Sequence, residues 1–169
     1  MSTEANAAGV ARSASDADQQ VVIFRLAESS YAIEIAAVRE IIRPSAITVV
    51  PHAPECVRGV INLRSSVVPV LDLRRRCGLP QAPETRESRI VVVQVGDQSV
   101  GLQVDGVSEV TTVPADVIEP AAGIIRGAGQ EHLLRGVARL DDRLIMLLDL
   151  VRAVDTSIEI DASAAANAA

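Results

Sequence analysis

The sequence predicts a mainly β protein built as two pseudo-symmetric barrel lobes, and three observations carry that prediction. Hydrophobic residues make up 49 % of the chain and aromatics only 1 %, so the interior is built from Val, Ile, Leu and Ala. The β-branched members of that set favour strands. Short apolar runs are punctuated by Pro44, Pro51, Pro54, Pro80, Pro83, Pro114 and Pro120, which reads as short strands separated by turns. Two blocks recur in the same order, as duplication of one small β unit would produce. Half of the chain, about 65 residues, is marginal alone, and two copies packed together with exchanged strands are a sounder solution.

The elements follow in order. Residues 1–19 are rich in Ala, Ser, Asp and Gln, and residues 156–169 are similar; both are expected to be flexible tails around a folded region, 20–155. IFRLAESSYAIEIAAVREI, from Ile23, reads as strand, acidic-polar turn at Glu28-Ser29-Ser30, second strand, then V-x-E at Val38 and Glu40. A Pro-containing connection leads to VRGVINLRSSVVPVLDL, from Val57, where two apolar runs flank Arg64-Ser65-Ser66 as strand, tight turn, strand. Asp72 then precedes the short helical stretch LRRRCG, with Gly78 and Pro80 as stop signals. The second copy opens with VVQVGDQSVGLQVDGVSEV, from Val92, offset by about 69 positions, with its turn at Asp97-Gln98-Ser99 and its V-x-E at Val107 and Glu109. GIIRGAG, from Gly123, is a flexible connection. LRGVARLDDRLIMLLDL, from Leu134, repeats the second block at an offset of about 77, sharing R-G-V, then L, then D-L. Asp149 precedes LVRAV as Asp72 precedes its own helix. An N-cap carboxylate is worth about 1 kcal/mol, and capping explains this pair of aspartates better than a catalytic carboxylate pair does.

Charge and composition exclude several functions. A net charge of −6, with Phe24 and Tyr31 as the only aromatics, argues against a nucleic-acid binder. All sixteen basic residues are Arg, which removes a phosphate-loop lysine, a Schiff-base lysine and a Ser–Lys dyad together. No apolar run reaches the roughly 18–20 residues that cross a bilayer. The N-terminus lacks the layout of a signal peptide, so a soluble cytoplasmic protein without direct membrane insertion is expected.

The chain offers little chemistry. His52 and His132 lie in different halves without ligand-spaced neighbours, and Cys56 and Cys77 read as small buried hydrophobes. Ser65 and Ser66 sit in no nucleophile elbow. The glycines of GIIRGAG match no phosphate loop, and Arg74-Arg75-Arg76 reads as the solvated face of a short helix. No catalytic residue, metal or cofactor is expected.

With the motifs laid out, the chain resembles the CheW family of chemotaxis coupling proteins over roughly residues 20–155. The resemblance rests on F-R-L…Y-A-I…V-x-E-I (Phe24 to Ile41), P-x-A-P-E-C-V-R-G-V-I-N-L-R (Pro51 to Arg64) and V-V-P-V-L-D-L-R (Val67 to Arg74). It continues through V-G-L-Q-V-D-G-V-S-E-V (Val100 to Val110) and the late L-R-G-V-A-R-L…L-L-D-L. It implies two intertwined five-stranded SH3-like β-barrel lobes with short helices. It also implies a non-enzymatic adaptor between the cytoplasmic tip of methyl-accepting chemoreceptors and the regulatory domain of the histidine kinase CheA. Its place would be cytoplasmic, at membrane-bound receptor arrays, where copies of the adaptor also meet one another. At this length an attached receiver or kinase domain is not expected.

By the same resemblance Arg64, Gly101 and Val110 are receptor-binding, and Val38, Glu40 and Gly59 are kinase-binding. Core packing competes for Val38, and backbone geometry for Gly59, since Gly136 stands at its counterpart. The family's usual N-L-R-G has Ser65 as its fourth letter here. A serine at a turn that needs positive φ is strained or changes the turn type, and so would re-aim Arg64. In the second copy Asp141 stands at the position of Arg64. That charge reversal marks Arg64 as a partner contact rather than a folding requirement. Two further readings stand beside this one: an adaptor of a parallel pathway, for surface motility or second-messenger output, and a small β-barrel enzyme or ligand-binding domain. The last requires a concave pocket with convergent polar groups.

Overall fold

Alternation along single strands sets the layers. In β1 (Gln19–Leu26), Val21 and Ile23 point to one apolar cluster while Val22, Phe24 and Leu26 point to another, so both faces are buried. The same split recurs in β6 (Arg89–Val95), where Ile90 and Val92 face one cluster and Val91 and Val93 the other. These matched strands are central because neither has a polar face to turn to water.

The computed structural model describes residues 18–44, 46–120 and 133–154. The connection GIIRGAG, His132 and most of both expected tails lie outside the described residues. The remaining strands are β2 (Ser29–Glu34), β3 (Val38–Ile42), β4 (Val57–Leu63), β5 (Ser66–Asp72), β7 (Gln98–Val104), β8 (Gly106–Val113), β9 (Ile118–Glu119), β10 (Leu134–Leu140) and β11 (Arg143–Leu148). Two one-turn helices, α1 (Leu73–Arg76) and α2 (Leu150–Ala153), follow β5 and β11.

The strands make two sheets, ordered β8-β1-β2-β11-β10-β9 and β3-β6-β7-β5-β4. Strand exchange between the copies is therefore real and reciprocal. Each copy's first hairpin, β1–β2 or β6–β7, takes its edge strand from the other copy: β8 pairs with β1, and β3 pairs with β6. The second hairpins cross over too, β5 pairing parallel with β7 and β11 parallel with β2. Registers are preserved under the duplication, Val70 opposite Gly101 in one lobe and Leu147 opposite Ala32 in the other. One lobe has the expected five strands. The other gains a sixth, the two-residue β9, whose place in the first lobe is held by the single Thr48–Val60 bridge.

Each lobe has its own small interior, Val21, Ile23, Ala32, Ile145 and Leu147 in one, Ile61, Val68, Val70, Ile90 and Val92 in the other. The larger cluster draws on both sheets and contains the only aromatic pair, Phe24 and Tyr31, stacked at 6.0 Å. Cys77 lies buried in that cluster and Cys56 packs against it, neither in a disulfide. Burial pushes the Cys77 thiol up to about 11 even though Arg76 pulls the other way, as for an inert core residue.

Candidate functional site

The hairpin β4–β5 closes on Arg64 (φ +50°) and Ser65 (φ +68°), both left-handed, which is a type I′ turn. Its counterpart β10–β11 closes on Asp141 (φ +50°) and Asp142 (φ +65°). The two turns agree within a few degrees. Ser65 therefore keeps the turn type of the second copy and carries the strain of a left-handed residue. Right-handed twist of the flanking strands selects this turn more strongly than two unfavourable residues oppose it.

The hairpin tip curls back to the opposite edge of its own sheet. Arg64 Nη2 lies 3.4 Å from Glu40 Oε1 on β3, with the arginine side chain 80 % exposed and the glutamate 26 %. In the other lobe Arg143 Nη2 lies 3.2 Å from Glu109 Oε1 on β8. Glu109 is the repeat counterpart of Glu40, while Arg143 stands two positions further round the turn than the counterpart of Arg64. The charge reversal at Asp141 thus does not mean that the fold lacks a tip arginine there. Both lobes close with a Glu–Arg pair, and the second supplies its arginine from the far side of the turn. What distinguishes Arg64 is exposure: most of its guanidinium is in water.

The other expected site residues are distributed as follows. Val38 is half-buried on β3 and packs against the large core. Gly59 (φ +148°) is buried in β4, and a Cβ on it would fall 2.1 Å from the Thr48 carbonyl oxygen. Gly136 meets the same constraint from Glu119, with 2.9 Å to its carbonyl oxygen. Gly101 is buried in β7, where a Cβ would lie 2.8 Å from Ile90 Cγ2, and its counterpart Ala32 is also small and buried. Val110 is 50 % exposed on edge strand β8. The structure thus joins Arg64 to Glu40, places Gly59 and Gly101 inside, and puts Val110 on the other lobe.

Asp72 and Asp149 cap their helices: Asp72 accepts the N–H groups of Arg74 and Arg75, and Asp149 accepts that of Arg152. The Arg74-Arg75-Arg76 run is a solvated face only at Arg75, which is exposed; Arg74 and Arg76 are half-buried. Arg74 grips Asp105 through Nε at 2.9 Å and Nη2 at 2.6 Å and donates to the Pro80 carbonyl. Arg75 donates to the Glu55 carbonyl, and Arg76 to the carbonyls of Ala153 and Arg152 at the end of α2. A polar triplet reads as solvated in sequence because its partners are distant there.

Asp105 was not singled out by the sequence, yet it is the best-connected carboxylate among the described residues. Besides Arg74 it accepts the Ala27 N–H at 2.7 Å, while Arg25 donates to its backbone carbonyl. It ties α1, the β1–β2 turn and the crossover from β7 to β8, and so binds lobe to lobe. Burial favours the neutral acid, but the Arg74 hydrogen bond, the Ala27 N–H and the charges of Arg74 and Arg25 outweigh it. Together they hold the carboxyl below its ordinary value.

Open clefts line the surface, among them one of about 310 Å³ bordered by Glu34, Arg135 and Val151, and one of about 500 Å³ bordered by Ser30, Arg143 and Leu144. No group of three or more His, Cys, Asp or Glu side chains among the described residues is arranged to hold a metal ion. No helix among them is long and apolar enough to cross a membrane.

Comparison with known proteins adds to this geometry. The model of the CheW-like domain matches residues 20–157. A probable chemotaxis protein CheW of Rhizobium etli is 36 % identical over 139 residues, covering 82 % of this chain and 89 % of that one. The chemotaxis protein CheW of Rhizobium meliloti is 38 % identical over 132 residues, covering 78 % and 84 %. Among solved structures, the scaffolding protein TtCheW of Thermoanaerobacter tengcongensis aligns with a TM-score of 0.75 at 33 % identity, covering 83 % of this chain and 95 % of that one.

Proposed function

We infer the function from one premise: the chain belongs to the CheW family, and like the chemotaxis proteins it matches it is a coupling adaptor of chemotaxis signalling. The finer reading is that residues 20–155 form the adaptor domain. That domain joins the cytoplasmic tip of methyl-accepting chemoreceptors to the regulatory domain of the kinase CheA, in the cytoplasm at membrane-bound arrays and without catalysis. Contacts between copies of the adaptor extend the array. Arg64 and Val110 are the groups offered to the receptor, and Glu40 with the exposed edge of Val38 the groups offered to the kinase. Gly59 and Gly101 serve by holding backbone and packing in place. The mechanism is simultaneous binding: a kinase held by one face meets the receptor at raised effective concentration.

The observation that carries this reading is Arg64 itself. A rigid two-residue turn lifts its side chain clear of the sheet, and one exposed ion pair leaves its remaining donors to water. A planar guanidinium so presented fits a carboxylate on a partner surface. The test is Arg64→Ala in a pull-down with the cognate receptor fragment and, separately, with the kinase regulatory domain. Receptor capture falls at least tenfold while kinase capture is kept. Undiminished receptor capture removes Arg64 from the interface.

A further inference from the structure

The pseudo-two-fold relation makes the two lobe-to-lobe junctions comparable position by position, and they differ in what fills them. At the first junction α1 delivers Arg74, whose guanidinium lies against Asp105 and feels the charge of Asp72; Asp105 is also bonded by Arg25 and Ala27, and Gln103 stands opposite Asp72 in the β5–β7 register. At the second junction α2 presents Val151 at the position of Arg74, and Ala36 stands where Asp105 stands. Val151 is 70 % exposed. The cleft of about 310 Å³ opens at this place. Its lining includes Glu34, Gln94, Gly96, Arg135, Asp149 and Val151, and these are the counterparts of Gln103, Arg25, Ala27, Arg58, Asp72 and Arg74. The fold therefore builds the same cradle twice and, among the described residues, fills only one with an arginine.

The charges of the cleft suit the same occupant. Asp72 and Asp105 are the carboxylates around Arg74, and the cleft keeps two, Asp149 at the position of Asp72 and Glu34 at that of Gln103. Arg25 is replaced by the neutral Gln94, so one competing cation is gone. Arg135 remains, 3.6 Å from Glu34 with its side chain largely covered, and Arg152 Nε, outside the lining, lies 3.7 Å from Asp149; the lining itself, Glu34 and Asp149 against Arg135, stays net negative, with each carboxylate sharing its charge with one cation. Apolar walls from Val95, Leu148 and Leu150 match the methylene stem of a long side chain.

We propose that this cleft receives an arginine side chain from the surface of a partner protein, in the place that Arg74 fills at the equivalent junction. The contact is separate from Arg64 and does not depend on which partner Arg64 meets. It gives the adaptor a cation-accepting site to complement the cation it presents.

The test titrates the full ¹⁵N-labelled chain with N-acetyl-arginine methylamide, using the citrulline analogue as the uncharged control. Saturable amide shifts are expected at Ala37, Gly96 and Val151, at least tenfold weaker with citrulline. Glu34→Gln weakens the binding about two- to fivefold, as for a half-exposed charge pair. Val151→Arg fills the cleft from within and abolishes it, and the exposed position tolerates the change. If Val151→Arg disturbs the fold, Glu34→Gln still decides. Absence of shifts, equal shifts from citrulline, or unchanged binding in a folded variant would overturn the proposal. Tighter binding of free arginine than of the capped probe would also overturn it, assigning the cleft to a metabolite.

Discussion

Gly59→Ala separates a backbone role from a docking role. The new Cβ would lie 2.1 Å from the Thr48 carbonyl oxygen and 2.8 Å from Ile47 Cγ2, where approaches under 3.0 Å are essentially never seen. The segment carrying Thr48 must therefore retreat by about 1 Å. That stretches the two hydrogen bonds of the Thr48–Val60 bridge, now 2.9 and 2.8 Å, beyond useful length. Each is worth about 1 kcal/mol net, and a non-glycine residue at φ +148° adds about 1–3 kcal/mol of backbone strain. The sum, about 3–5 kcal/mol, is a large share of the stability of an ordinary domain. At about 3 °C per kcal/mol it lowers Tm by about 10–15 °C. Gly136→Ala, whose Cβ meets Glu119 at 2.9 Å, costs less, about 1–2 kcal/mol. The assay is thermal unfolding by circular dichroism, beside kinase capture at a temperature where the variant is folded. An unchanged Tm with lost kinase capture would refute the reasoning and make Gly59 a direct contact.

Further outcomes follow from the same geometry. Ser65→Gly relieves a left-handed serine and raises stability by about 0.5–1 kcal/mol, less than the full strain because glycine also frees the unfolded chain; a chemical-denaturation midpoint reads it. Asp105→Asn weakens the tie between the lobes at neutral pH. Because the folded carboxyl lies below its unfolded value of about 3.9, its contribution is present above that pH and is lost as pH falls through the folded value. The stability gap between wild type and Asp105→Asn therefore closes on acidification below about pH 4, which denaturation at stepped pH measures. A double-mutant cycle on Glu40 and Arg64 returns a coupling below about 1 kcal/mol, since the Arg64 side chain is largely in water.

The duplication was legible because the letters that recur are the ones the fold needs. Gly59 and Gly136 clear a crossing backbone, Asp72 and Asp149 cap helices, and the alternation in β1 and β6 fills two cores. Which copy each strand joins was less legible. Alternation tells a strand which faces are buried, not which neighbour bonds its edges, so the exchange of β3 and β8 was expected only in outline. Charge was read worst. The counterpart of Arg64 is Asp141, yet a tip arginine survives two residues on as Arg143, because a type I′ hairpin brings both sides of the turn near the same edge strand. The pairing of Arg74 with Asp105 is not legible in sequence because neighbours show there and these two residues are 31 positions apart.

We propose that this chain holds two partners at once. The direct measurement is co-sedimentation of the purified chain with membranes bearing the cognate receptor, with the CheA regulatory domain added as the third component. The regulatory domain is expected to reach the membrane only when the adaptor is present, in a complex containing all three, and Arg64→Ala is expected to release adaptor and regulatory domain together. Competition, in which added regulatory domain displaces the adaptor from the receptor membranes, would rule out simultaneous binding.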